Sequence, residues 1–207
     1  MNRSRTTSNL FEKKKSATVQ LANGVFLTAI GSAERKGCWV IYGYEKNGKT
    51  WFTLKLAKEI ARFERVAYIS AEEGLDDSFI AAAKRAGVTT SDNILWDEYL
   101  SVDEIIEKFS KQRSANIIIL DNLTMDADEL KPTEVKKRLI NALPNKLLIF
   151  VAHEERKEAY PAIARMAKKL AKVIFHIEGL KAFVTSRFSS GGEIVIDEEK
   201  SELYHGC

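Results

Sequence analysis

Residues 43–50 read Gly43-Tyr44-Glu45-Lys46-Asn47-Gly48-Lys49-Thr50, a complete GxxxxGK[ST] pattern, and nothing else in the chain restricts the fold as much. The apolar run Cys38-Trp39-Val40-Ile41-Tyr42 leads into it, and a helical repeat of Phe52, Leu56, Ile60 and Phe63 leads out. Strand, glycine-bounded loop and helix N-terminus, in that order, aim backbone N–H groups and the positive end of a helix dipole at one point. That point suits phosphate. The pattern predicts a nucleoside triphosphate, with Mg2+, held by Gly43 to Thr50 and by Trp51 in the first helical turn. Lys49 is expected at the β- and γ-phosphates and the Thr50 hydroxyl on Mg2+. The loop has only two glycines, and Glu45 repels a triphosphate mildly unless Lys46 or solvent screens it. Modest affinity for ATP is therefore expected.

Strands and helices alternate beyond the loop. Val66-Ala67-Tyr68-Ile69-Ser70 reads as a buried strand, 76–86 as a helix stopped by Gly87, and Ile94-Leu95-Trp96 as a short strand. Ser101-Val102-Asp103-Glu104 is a capping box ahead of Ile105, Ile106 and Phe109. Ile117-Ile118-Ile119-Leu120-Asp121 is a continuous apolar run ending in a carboxylate, the pattern of a central parallel strand. A helix is expected from Pro132 to Pro144, a strand from Lys146 to Ala152, and a helix after Pro161. The tail changes rhythm. Val173–Glu178, Lys181–Arg187 and Glu193–Ile196 are short β runs broken by glycine, and they predict an antiparallel meander. The expected fold is α/β, a mainly parallel central sheet with helices on both faces and that meander at its C-terminal end. Residues 1–24 read as a polar, basic arm and 25–207 as one domain. The Lys13-Lys14-Lys15 run suits a solvated arm, with phosphate-backbone contact as the alternative.

Composition narrows the function classes. A net charge of +3 neither announces a nucleic-acid binder nor forbids a local basic groove. Cys38 and Cys207 have no metal-ligand spacing and suggest reduced thiols in a cytoplasmic protein. No apolar run is long enough to span a membrane, and the basic N-terminus lacks the apolar stretch of a secretory signal.

Four further positions carry candidate chemistry. Asp121, ending a buried strand about 70 residues beyond the loop, is placed to hold Mg2+ or its water. Glu72 and Glu73 follow the strand 66–70, where ligands bind in open parallel sheets. Either glutamate can polarise the water that attacks the γ-phosphate. Asp76 and Asp77 suit a helix N-terminus instead. His153 stands at the tip of the strand 146–152, within reach of a γ-phosphate. Arg187, in the meander, can serve a neighbouring subunit as an arginine finger.

These residues together resemble the RecA-like ATPase core, most closely its RadA and DnaB types. Tyr68-Ile69-Ser70-Ala71-Glu72-Glu73-Gly74-Leu75 is similar to the RadA stretch YVSGEES. Ile118-Ile119-Leu120-Asp121-Asn122 looks like its VIDS, Phe150-Val151-Ala152-His153 like its sensor strand, and Ser186-Arg187-Phe188 like the end of its KNRFG element. The small ATPases of phages and mobile elements in Bacteroidetes-like bacteria share the last feature. The resemblance spans roughly residues 25–200. It implies Glu72 as the water-activating acid, Asp121 as the magnesium partner, His153 as a switch residue and Arg187 as a residue acting across a subunit interface. Thr185 stands where the family has lysine, so half of a trans-acting pair is missing.

The resemblance implies an oligomeric ATPase, ring or filament, acting on single-stranded DNA in recombination, repair or replication. Residues 154–161, expected as a loop, and the following Arg165, Lys168, Lys169 and Lys172 offer a basic edge with Tyr160 for stacking, or else a plain solvated face. The acidic residues Asp126, Asp128 and Glu129 argue against a DNA-binding loop after Asp121. An ATP-gated loader with little hydrolysis is the alternative. A P-loop small-molecule kinase is a minor one, because no arginine-rich lid is visible.

Overall fold

The computed structural model describes residues 4, 6–12, 15–71, 74–121 and 130–206. Two short helices, α1 (Thr7–Phe11) and α2 (Val25–Ile30), precede the sheet. Five strands then alternate with helices: β1 (Gly37–Gly43), α3 (Lys49–Ala61), β2 (Val66–Ser70), α4 (Asp77–Arg85), β3 (Ile94–Asp97), α5 (Val102–Ser110), β4 (Ile117–Asp121) and β5 (Leu147–Glu155). The remainder is β6 (Glu158–Tyr160), α6 (Ala162–Leu170), the meander β7 (Val173–Glu178), β8 (Lys181–Ser186) and β9 (Gly192–Val195), and a terminal helix α7 (Glu198–His205).

Among the described residues the strands form one nine-stranded sheet in the order β3-β2-β4-β5-β1-β7-β8-β9, with β6 paired to β5. Every pairing from β3 to β7 is parallel, and the β7–β8 and β8–β9 pairings are antiparallel. The expected architecture is thus present. The alternation of side chains explains both layers of the core. Trp39, Ile41, Ile119 and Ile149 point to the face covered by α3 and α4, whereas Val40, Tyr42, Ile118 and Phe150 point to the face covered by α5 and α6. Burial on both faces is what a continuous apolar run encodes.

Helix starts follow their local chemistry. The Asp76 carboxylate accepts the Phe79 N–H at 2.8 Å, and this bond, with that from Ser78, holds its pKa below the ordinary value. Ser101 and Glu104 form the predicted capping box. Gly48 caps α3 at φ 95°, in the left-handed region that glycine tolerates.

Several segments depart from the sequence reading. The helix expected from Pro132 is a 3-10 turn (Pro132–Glu134) followed by a wide π turn (Val135–Ile140), closed by Asn141 N–H donating to the Lys136 carbonyl at 2.8 Å. Buried Val135 and Leu139 keep its inner face apolar. The loop expected at 154–161 is a β-hairpin. Arg156 and Lys157 take φ of 52° and 64°, the twist that joins two antiparallel strands through a two-residue turn. Periodicity missed it because β6 is three residues long. Helices α1, α2 and α7 were not foreseen either. The core also reaches upstream of residue 25: Thr18 bridges Glu34, Val19 is buried, and the Ala22 N–H donates to Glu59 at 2.7 Å. No helix among the described residues is long and apolar enough to cross a membrane.

Cys38 illustrates how β1 is enclosed. Its thiol lies against the Ala167 carbonyl, and burial pushes its pKa up to about 12 from an ordinary 9.0, against the opposing pull of Lys172 and Arg187. A thiol with a raised folded pKa stabilises the fold fully below about pH 9, and that contribution is lost as pH climbs toward 12. In a Cys207→Ser background, Cys38 is expected to resist a thiol reagent at pH 8 in the native protein and to react at once in denaturant. Rapid native-state labelling would contradict the burial.

Candidate functional site

The loop 43–50 leaves the C-terminal end of β1 and enters α3, and it is packed closely on both sides. A Cβ on Gly43 would lie 2.2 Å from the Ile177 carbonyl oxygen, and one on Gly48 would lie 2.5 Å from Leu180 Cδ2. Only glycine lets β7 and the β7–β8 turn approach so near. Asn47 ties the loop to that turn by accepting the Gly179 N–H at 2.8 Å. On the other flank the Lys157 N–H donates to the Tyr44 hydroxyl at 3.3 Å, linking the loop to the β5–β6 hairpin. Lys49 Nζ curls back to donate to the Tyr44 carbonyl at 2.9 Å, so its ammonium stands over the loop.

A cavity of about 670 Å³ opens above this loop. Glu45, Lys46, Gly48, Lys49, Thr50 and Trp51 line its floor; Ser78, Ala82 and Arg85 of α4 line one wall. Asp121 of β4 and Val151, Ala152 and His153 of β5 line another, and Leu180 and Lys200 close the last side. The size suits a nucleotide. Among the described residues, Lys46, Lys49, Arg85 and Lys200 set four cations against the carboxylates of Glu45 and Asp121. That balance favours a polyanion.

The strand order explains why these groups meet. One strand, β5, lies between β1 and β4, so the loop and Asp121 are two strand spacings apart, roughly 10 Å. In register, Asp121 pairs with Val151 and Gly43 with His153. His153 therefore stands at the same sheet edge, between the loop and the carboxylate strand. Asp121 is fixed from the opposite side by the Tyr68 hydroxyl, which donates to its Oδ2. Tyr68 is itself held by Phe79 and Trp96, with ring centroids 5.5 and 5.3 Å away. The hydroxyl of Thr50 and the carboxylate of Asp121 are hard oxygen donors of the kind Mg2+ takes, so the donor set fits a metal–phosphate group.

The sequence-predicted residues separate into three groups. Gly48, Lys49, Thr50, Asp121 and His153 are brought together, with Glu45, Lys46 and Trp51 beside them. Glu72 and Glu73, and the acidic residues Asp126, Asp128 and Glu129, lie outside the described residues. Arg187 is exposed at the end of β8, where its N–H donates to the Lys172 carbonyl at 3.0 Å. Lys172 immediately precedes β7, and Val173 pairs with Trp39, so Arg187 sits at the opposite end of the sheet from its own loop.

Arg85, Lys200, Leu180 and Tyr68 belong to the site and were not foreseen. Tyr68 had a weak signal, a polar group within an apolar strand adjoining the carboxylate strand. Arg85 and Lys200 had none, because long-range packing alone brings them to the cavity. Trp51 is half-buried, with the Lys55 ammonium 5.1 Å and the Arg85 guanidinium 5.6 Å from its ring centroid. Its indole N–H is buried with no acceptor among the described residues.

Fold and cavity together define a RecA-like P-loop ATPase architecture. The chain belongs to the iSTAND family, described as inactive STAND, whose profile matches residues 14–158. Among solved structures it is similar to the ATPase domain of a helicase, with 16% identity over 77% of this chain and 80% of that one, at a TM-score of 0.56. It is also similar to the flagellar accessory protein FlaH of Methanocaldococcus jannaschii, with 16% identity over 86% and 91% and a TM-score of 0.60. No curated protein matches the chain in sequence.

Proposed function

We infer that this chain is a Mg-ATP-binding module that responds to nucleotide occupancy and turns ATP over slowly. The observation that carries the reading is the meeting of Lys49, Thr50, Asp121 and His153 around one cationic cavity. Lys49 and the backbone of the loop bind the phosphates. Thr50 and Asp121 hold the metal, which when bound neutralises phosphate charge. His153, on the strand between loop and carboxylate, contacts the terminal phosphate. Slow turnover is supported by the family's description as inactive and by the distance of Arg187 from its own cavity. A glutamate at 72 or 73 is the candidate to orient the attacking water.

Trp51 supplies the test. Magnesium-ATP is expected to change the intrinsic emission of the chain, and Trp51→Phe to remove the change, since Trp39 is fully buried in the core. No emission change and no calorimetric heat with any nucleoside triphosphate would sink the reading.

A second reading, a DNA-stimulated ATPase that is active as an oligomer, is favoured by exposed Arg187 and by the exposed Arg165 and Lys169 of α6 near Tyr160. In it Arg187 reaches the cavity of a neighbouring subunit. Hydrolysis titrated with single-stranded DNA, duplex DNA and RNA separates the two. Stimulation of tenfold or more, lost in Arg187→Ala, selects the motor. Tight binding with flat, slow turnover selects the switch. Appearance of a phosphorylated metabolite would select a kinase instead.

A further inference from the structure

The terminal helix α7 reaches the cavity from outside the family match, which ends at residue 158. We propose that Lys200 of this helix is a second phosphate-binding cation, delivered in cis, so that nucleotide binding and docking of α7 stabilise each other. The inference rests on the nucleotide reading above and extends it, since the loop motif does not call for such a helix.

Three observations support it. First, Lys200 lines the same cavity as Lys49 and Lys46. Its backbone N–H is taken by the Asp197 cap at 3.0 Å, but its ammonium is 4.0 Å from Asp197 Oδ2, the outer limit of an ion pair. A lysine in the first turn gains nothing from the helix dipole, which favours anions there. An anion in the cavity supplies the missing counter-charge. Second, α7 is joined to the phosphate loop by a short chain of contacts. The Tyr204 ring lies so close to Gly179 that a Cβ there would fall 2.1 Å from it. The Gly179 N–H bonds Asn47 of the loop, the next residue, Leu180, abuts Gly48, and the Ile196 N–H donates to the Leu180 carbonyl at 2.9 Å. Third, the helix is lightly held. Leu203 is 79% exposed, Tyr204 is 59% exposed, and Ser201 is its buried residue. An element with so little buried apolar surface opens at low cost, and a ligand that contacts only its docked form shifts that equilibrium. The coupling is reciprocal, so the docked helix raises nucleotide affinity by the same factor.

The test uses the full chain and a non-hydrolysable ATP analogue with Mg2+. Calorimetry is expected to show about tenfold weaker binding for Lys200→Ala, near-complete recovery for Lys200→Arg, and no change for Lys111→Ala on α5. Amide hydrogen exchange across 198–206 is expected to slow when the analogue binds the wild type, and to slow much less in Lys200→Ala. If Lys200→Ala binds as the wild type does, or if α7 exchanges equally with and without nucleotide, the proposal is overturned while the loop reading stands. If the wild type binds no analogue at millimolar concentration, the loop reading falls and takes this one with it.

Discussion

Lys49→Ala is expected to weaken magnesium-ATP binding by about 100-fold, roughly 2.7 kcal/mol, while the melting temperature stays within about 2 °C of wild type. The ammonium donates to the Tyr44 carbonyl across the loop, a partly exposed contact that contributes little to folding. Its larger role is to meet phosphate oxygens through charge-assisted hydrogen bonds, which are among the strong ones. Titration by calorimetry or by Trp51 emission, alongside a thermal melt, reads both quantities. Unchanged affinity with an intact melt would mean that the loop does not grip phosphate. A collapsed melt would assign Lys49 to the architecture instead.

Phe52→Ala tests the other half of the site, the seating of the helix that carries Lys49, Thr50 and Trp51. Phe52 is fully buried, with its ring centroid 5.1 Å from Phe175 of β7 and 6.1 Å from Phe26 of α2. Truncating such a ring leaves a cavity and costs about 3–5 kcal/mol. For a chain of this size that corresponds to a fall of about 10 °C in melting temperature. Nucleotide is expected to restore part of the loss in proportion to its concentration, because it binds the folded form. An unchanged melt would show that α3 is anchored elsewhere.

The sheet was legible because each of its central strands is a run of apolar residues longer than any amphipathic pattern would allow. Ile117 to Leu120 is the clearest, buried on both faces as such a run requires. Asp121 was readable because it breaks that run at a strand end, and the loop because glycine and lysine spacing is dictated by phosphate geometry. What stayed hidden depended on distant packing. The wide turn at 135–140 has a spacing of apolar residues that an α-helix would share. The hairpin at 154–160 was obscured by charged residues, yet Glu154 is buried because His176 meets it at 2.7 Å with the Tyr42 ring stacked 4.7 Å from the imidazole. Without the fold, Glu154 reads as one more surface acid. Lys200 and Arg85 were invisible for the same reason, since their significance lies in where their helices land.

Strand β5 carries His153 at the cavity edge and then runs unbroken into the turn at Arg156 and Lys157, whose amide grips Tyr44. The tip of that hairpin and the floor of the cavity are thus two ends of a single stiff beam. A load placed on the tip is carried in shear by the backbone bonds of β5 to its neighbours, with no slack segment in between to absorb it.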